Sequence, residues 1–284
     1  MAYKQFNKII GLVIWYHPGE KEVSAIQLYN KDIERVIVVD NSETDNRALC
    51  AALGNVVYIP LMANKGIAAA LNRGCQEAKR LGAEWVLTMD QDSRWDQQTL
   101  CQYIEEAEEY EGFEKVGIFS PFHDCDGTPE KHKKEGRFQE MKIIMCSGNL
   151  LRLEAWEAAY GFKEDFFIDC VDDEISCHIR ALGWQIIRTN RILLTHHLGN
   201  GPTMVKIIHH PYTAHPAWRY YYRGRNMLRM AQLYPDMGKY YRRHALKELK
   251  RLLIYDWNDD KRDKLRQYLR GLREGMHQYT PACN

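Results

Sequence analysis

Asp90 and Asp92 stand one residue apart at the end of an apolar run, Trp85–Met89. Alternate side chains of extended backbone point the same way, so both carboxylates can meet one hard divalent cation. Mg²⁺ or Mn²⁺ held there would clamp a nucleoside diphosphate and offset charge on a departing phosphate. The competing reading is an acidic strand-to-helix turn in which an Asp or Ser93 caps the next helix. A second acidic group, Asp169, Asp172, Asp173 and Glu174, follows later in the chain. Carboxylates this crowded raise one another's pKa, which suits one of them to act as a base near neutrality. Some of them also suit the positive end of a helix reaching Leu182.

The elements that must hold these groups are readable from periodicity. Ile9–Trp15, Val36–Val39, Val56–Ile59 and Trp85–Met89 are short, continuous apolar runs, as expected of strands buried on both faces of a parallel sheet. Helical segments are expected between them at Ser24–Ile33 and Asn64–Leu81, the latter with Ile67, Leu71, Gly74, Ala78 and Leu81 on one face. This β-α-β-α-β alternation predicts a nucleotide-binding half of the doubly wound kind, whose ligands gather beyond the carboxyl ends of the strands. The residues there are His17-Pro18, Asp40-Asn41-Ser42 and Asp90-Gln91-Asp92-Ser93. Asn64-Lys65-Gly66 could aim a helix N-terminus and an ammonium at phosphates, or Asn64 could simply cap that helix.

The second half is less regular. Strands are expected at Val116–Phe119, Lys142–Cys146, Trp184–Arg188 and Ile192–Thr195, the last ending at His196-His197. Helices are expected near Glu154–Tyr160, up to Leu182, and from Ala217 onward. Arg219, Tyr222, Arg223 and Asn226 are helical neighbours in a basic, aromatic stretch. Such a helix could close over a diphosphate, dock on an anionic membrane surface, or pack on its own domain. The segment from Lys239 to Ile254 keeps the same character.

Several segments taken together resemble family 2 glycosyltransferases. They are Asp40-Asn41-Ser42, Asn64-Lys65-Gly66-Ile67-Ala68 with Asn72-Arg73-Gly74, Met89-Asp90-Gln91-Asp92-Ser93, and Gly161–Asp169 followed by Val171-Asp172-Asp173-Glu174, Arg180 and Gly183. His196 to Gly199 and the Arg219, Tyr221, Tyr222, Arg225, Asn226 pattern are similar to bacterial rhamnosyltransferases. The likeness spans roughly residues 8–230, in the family's order. It implies an α/β GT-A fold with a mostly parallel, Rossmann-like central sheet, flanking helices and a C-terminal helical extension. The expected division is 1–215 for the catalytic domain and 216–284 for the extension.

The resemblance also implies an inverting, single-displacement transfer and a set of roles. Asp40, with Asn41 beside it, would contact the nucleotide base. Asp90 would lie near ribose and metal, and Asp92 would ligate the metal. His196 would be a further metal or diphosphate ligand, with His197 the alternative because strand alternation sends the two rings opposite ways. Lys65, Arg219, Tyr222 and Arg225 would serve the nucleotide, and Ser147-Gly148-Asn149 would lie near donor and acceptor. Asp172 aligns with the catalytic carboxylate and Asp169 is second choice. Val171 replaces the usual acidic partner, and Lys163 stands where the family often has Asp. The donor expected is a dTDP- or UDP-sugar, plausibly dTDP-rhamnose, and the acceptor a surface glycan or lipid-linked glycan.

Bulk properties narrow the field. The 284 residues carry 39 Lys+Arg against 38 Asp+Glu, which gives no case for a nucleic-acid partner. The apolar run near the N-terminus ends at Tyr16 without a small-residue cleavage site, and no stretch approaches membrane-spanning length. Eight scattered cysteines without a CxxC pair predict reduced thiols in a cytoplasmic protein, with the inner face of the membrane as a possible station. A homodimer is compatible with all of this. A nucleotidyltransferase would need a Gly-rich basic loop after the first strand, where Tyr16-His17-Pro18-Gly19-Glu20 has one Gly and no Lys or Arg. A non-catalytic glycan- or nucleotide-binding protein is disfavoured by the presence of both Asp92 and Asp172.

Overall fold

The computed structural model describes residues 8–95, 97–125, 128–129, 136–196, 203–204, 211–212, 215–254 and 260–279. The chain forms two compact units. One combines Met1–Glu164 with Ile175–His197, and the other Asp165–Glu174 with Leu198–Asn284.

The first unit is built on strands β1 (Ile9–Trp15), β2 (Val36–Asp40), β3 (Val56–Pro60), β4 (Trp85–Asp90), β5 (Val116–Cys125), β6 (Thr128–Pro129), β7 (Phe138–Glu140), β8 (Asn149–Arg152) and β9 (Gln185–His196). They make one sheet in the order β3-β2-β1-β4-β8-β5-β9-β7, with β6 on β5. The first four strands run parallel, as their continuous apolar runs require, and all five residues of β2 are buried. Beyond β4 the directions mix: β8 is antiparallel to both β4 and β5, whereas β9 is parallel to β5.

Helices α1 (Glu20–Gln27), α2 (Ile67–Arg80), α3 (Gln97–Glu108) and α4 (Leu153–Ala158) belong to the same unit. Helix α2 packs closely on β1 because Gly74 carries no side chain; a Cβ there would lie 2.1 Å from Cδ1 of Leu12. Trp15, Trp85, Trp95, Tyr103 and Phe119 anchor the core at no more than 1 % exposure. Cys50, Cys75, Cys101, Cys146, Cys170 and Cys177 are free thiols.

Three expected elements differ. The first helix ends at Gln27 and begins earlier, at Glu20, where the Glu22 carboxylate accepts a hydrogen bond from the Gly19 amide at 2.8 Å and caps the turn after Pro18. Residues 142–146 are irregular, and the strand is instead Asn149–Arg152. Gly148 takes φ +77°, which favours glycine, and donates to the Thr88 carbonyl at 2.7 Å, so the chain turns before it enters the sheet. The two expected strands at 184–188 and 192–195 are one, β9, whose pairing with β5 slips between Ser120 and Phe122.

The second unit contains the short pair β10 (Thr203–Met204) and β11 (Pro211–Tyr212), and the start of α5 (Val171–Ala181). It also holds α6 (Ala217–Leu233), α7 (Gly238–Ile254) and α8 (Lys261–Met276). Helices α6 and α8 meet through glycines. A Cβ on Gly271 would fall 2.0 Å from the Tyr221 carbonyl, and one on Gly275 2.6 Å from that of Arg225. Tyr220, Leu252 and Tyr268 form the small core between the three helices.

Candidate functional site

The carboxyl ends of β1, β2 and β4 carry the polar residues singled out by sequence. In register, Trp15 of β1 faces Asp40 on one side, and Ile14 faces Asp90 on the other. Asp40 is fully buried and accepts from the Ser42 amide at 3.0 Å, Asn46 Nδ2 at 2.8 Å and the Tyr58 hydroxyl at 2.7 Å. Burial works against its ionisation, yet these hydrogen bonds outweigh burial and hold the carboxyl below its usual range. Asn41 then reaches the next loop. Its Oδ1 accepts from the Lys65 amide at 2.7 Å, and its Nδ2 donates to Asn64 Oδ1 at 3.1 Å. Asn41 and the Lys65 amide are therefore joined, beside the separately held Asp40, with Lys65 exposed just before α2.

The Asp90-Gln91-Asp92-Ser93 turn is fastened on both sides. The Gln91 amide group accepts from the Tyr16 backbone N–H at 2.8 Å and donates to the Tyr16 carbonyl at 3.3 Å. Ser147 accepts from the Asp90 amide at 3.2 Å and donates to Ser93 Oγ at 2.7 Å. Ser147 is fixed in turn by buried His123, whose Nε2 donates to its carbonyl at 2.6 Å. Gly148 is needed here as well, since a Cβ would fall 2.5 Å from Leu194. Asp90 and Asp92 are thus half-buried on a turn fastened on both sides.

Among the described residues no group of three or more His, Cys, Asp or Glu side chains is placed to hold a metal. Two oxygen ligands nevertheless suit Mg²⁺ or Mn²⁺ shared with a diphosphate, because such ions take one or two protein carboxylates and leave their other positions to phosphate and water. The donor set at Asp90 and Asp92 fits that group. His196 ends β9, but its side chain, like His197 and Gly199, lies outside the described residues.

The acidic segment is organised within the second unit. Phe167, Asp169 and Cys170 all have positive φ (64°, 62° and 61°), a strained run just before α5. Helix α6 holds that run in place. Asn226 Nδ2 lies 2.8, 2.9 and 2.9 Å from the carbonyls of Phe166, Ile168 and Asp169. Arg225, 7 % exposed, donates to the Asp165 carbonyl. Tyr222 stacks on Phe167 with ring centroids 4.8 Å apart, and Trp218 sets its edge against both. Arg219 and Arg223 both bind the Asp169 carboxylate. Sequence reasoning set Arg219, Tyr222 and Arg225 on a diphosphate; the structure gives each of them a partner in this loop.

The pattern splits the carboxylates. Burial pushes Asp169 up, but the charges of Arg223 and Arg219 override it and hold the group ionised, below its usual range. Asp173 goes the other way, to about 7, because burial and the neighbouring Asp172 charge outweigh the hydrogen bond from Tyr241 at 3.1 Å. Glu174 is fully buried and accepts from the Tyr234 hydroxyl at 2.7 Å. Asp172 is half-buried in the first turn of α5.

Sequence reasoning passed over His123, Tyr58 and Asn46, and named Gln91 only as the middle of the acidic triplet. Each supports a residue it named, and His123, Tyr58 and Asn46 belong to no spacing pattern that could have marked them. Asn72 was noted only as part of a motif. It is 5 % exposed and ties α2 to the loop before the acidic segment, accepting from Trp156 Nε1 at 3.1 Å and the Phe162 amide at 2.8 Å.

Residues 23–167 match the family model described as glycosyl transferase family 2. A dTDP-rhamnosyl transferase, RfbF of Shigella flexneri, is 28 % identical over 78 % of this chain and 78 % of its own length. Among solved structures, GalNAc-T7, crystallised with UDP, GalNAc and Mn²⁺, superposes with a TM-score of 0.60 at 12 % identity over 92 % of this chain. The chain spans about half of that structure, 54 % of its length, and the likeness is one of fold: GT-A.

Proposed function

The chain belongs to glycosyltransferase family 2 and is a glycosyltransferase; from that premise we propose that it transfers L-rhamnose from dTDP-rhamnose, with inversion, to a hydroxyl of a surface glycan or its lipid-linked precursor. The donor choice is supported by the similarity to the Shigella enzyme. The observation that carries the reading is the pair Asp90 and Asp92 on a fastened turn at the strand ends, on the opposite side of β1 from Asp40.

In this reading Asp40, Asn41 and Lys65 form the nucleotide side of the site, and Asp90 and Asp92 take a divalent cation. That ion would stabilise negative charge on the departing diphosphate. Asp172 accepts the proton of the acceptor hydroxyl as its oxygen bonds to the anomeric carbon and the bond to the diphosphate breaks. Asp169, already neutralised by two guanidinium groups, is the poorer base. The reaction takes place in the cytoplasm, at the membrane face where a lipid-linked acceptor is presented. Among the described residues no helix is long and apolar enough to cross a membrane.

The test is a thermal-shift titration with dTDP, UDP, GDP and CDP, with and without Mn²⁺, followed by donor-hydrolysis rates. Ligands that bind only the folded state raise the melting temperature. A metal-dependent rise with dTDP, and hydrolysis of dTDP-rhamnose that falls about 10²- to 10⁴-fold in Asp172→Asn, is the expected result. A response to UDP alone would replace the donor, and a response to no nucleotide would sink the reading.

A further inference from the structure

Among the described residues, helix α7 buries one apolar stripe and leaves other aliphatic side chains exposed. Tyr241, Ala245 and Leu252, at 2 %, 4 % and 0 % exposure, turn into the helical unit. Away from that stripe Leu246, Leu253 and Ile254 stand 68 %, 51 % and 45 % exposed. Leu246 and Leu253 are two turns apart on one line, so they form a short aliphatic ridge. Lys239, Arg242, Arg243 and Lys250 flank that ridge and are all exposed. The one acid in α7, Glu248, points away and pairs with Arg223 and Arg251. Helix α8 also exposes Leu269 and Met276 beside Arg262 and Arg273, but its Arg266 is paired with exposed Asp263 at 3.2 Å.

A face of cations around exposed aliphatic side chains is complementary to one kind of surface. We infer that the outer face of α7 lies on an anionic phospholipid bilayer, with the leucines at the acyl boundary and the Lys and Arg side chains among the headgroups. A second copy of the chain is a poor occupant, because two-fold pairing through this face would set cations against cations. A nucleic-acid backbone would satisfy the charges and gain nothing from the leucine ridge. The inference rests on the reading of a lipid-linked acceptor above for its purpose; its physics stands on this face alone.

Flotation of the full chain with phosphatidylcholine vesicles, with and without phosphatidylglycerol, tests it. Binding is expected only to the mixed vesicles, and to weaken as salt rises. Leu246→Ser with Leu253→Ser should lower partitioning about tenfold. Arg242→Gln with Arg243→Gln should lower it about tenfold and flatten the salt dependence. Both double variants keep wild-type melting temperatures and donor hydrolysis, because these side chains are exposed and outside the proposed site. Absence of binding to mixed vesicles, equal binding to neutral ones, capture by heparin alone, or folded variants that bind unchanged would each overturn the assignment. Loss of donor hydrolysis with vesicle binding intact would count against the transfer reading instead.

Discussion

Arg219 grips Asp169 with two prongs, Nε to Oδ2 at 3.0 Å and Nη2 to Oδ1 at 3.1 Å. Arg223 adds a second cation at 3.3 Å and is itself held by Glu248 at 3.1 Å, which also pairs with Arg251. The chain of alternating charges fixes a strained loop one turn before the proposed base. Removing Arg219 leaves a carboxylate that is 10 % exposed with half its partners. Arg219→Ala should therefore cost about 3 kcal/mol in urea unfolding, the low end for a broken buried pair because Arg223 remains. Removing the charge at 169 as well, Arg219→Met with Asp169→Asn, should recover part of that loss, since Asn tolerates the positive φ and leaves no half-paired carboxylate. A double variant as unstable as the sum of the single ones would contradict the coupling.

Asp173 predicts a pH dependence of the opposite sign to that of Asp169. Its folded pKa of about 7 lies above the model-peptide value of 3.8, so between those values the folded state binds more protons than the unfolded one. Stability contributed by this group is full below about pH 4 and declines as pH rises towards 7. The charges facing it are Asp172 and Asp169, with the Tyr241 hydroxyl as its hydrogen-bond donor. Asp173→Asn keeps an acceptor for Tyr241 and removes the titration. Urea midpoints at pH 5 and pH 8 should converge in this variant relative to wild type. Asp169, whose pKa is lowered, loses its contribution only as pH falls through the acid range below its ordinary value.

Asn72 makes four hydrogen bonds, two accepted by Oδ1 and two donated by Nδ2, the latter to the Phe162 carbonyl and Glu164 Oε1, both at 2.9 Å. Gly161 beside it takes φ +77°, and a Cβ there would fall 2.6 Å from Asn72 Oδ1. Asn72→Leu keeps the shape and strands the buried amide and indole donors. A loss of about 3 kcal/mol is expected, since each unpaired buried group costs about 1–3 kcal/mol. Chemical denaturation measures it, and a change below about 1 kcal/mol would show that water replaces the lost partners.

The parallel half of the sheet was legible because strands buried on both faces must be apolar throughout, and Val36–Val39 and Trp85–Met89 are. Strand β8 was not, because Asn149–Arg152 is only four residues long and its place follows from a glycine turn at 148 and a bond to Thr88 from another strand. Polar residues at strand ends, Asp40, Asn41, Asp90 and Asp92, were visible because a sheet of this kind gathers its ligands there. Arg219, Tyr222 and Arg225 mark the boundary of sequence reasoning. Helical spacing put them on neighbouring turns, but whether a guanidinium meets a phosphate or an internal carboxylate depends on a loop about fifty residues upstream in sequence.

At the Asp90-Gln91-Asp92 turn the proposed metal binding and folding can be measured separately. The turn is shaped by Gln91, Ser93 and Ser147, and in the proposed reading its two carboxylates meet the cation. Asp92→Ala should change stability by less than about 1 kcal/mol, as expected of a half-buried side chain outside the core. The same variant should abolish the Mn²⁺-dependent part of nucleotide stabilisation and lower transfer at least about 10²-fold, the scale of losing one fixed electrostatic contact to a leaving group. EDTA should reproduce the loss in wild type, and added Mn²⁺ should reverse it there but not in Asp92→Ala. Gln91→Ala should behave differently: it frees the Tyr16 backbone on one side of the turn, so metal affinity falls while excess Mn²⁺ restores the rate. Full activity of Asp92→Ala in EDTA would show that the charge of the leaving diphosphate is met by protein cations alone.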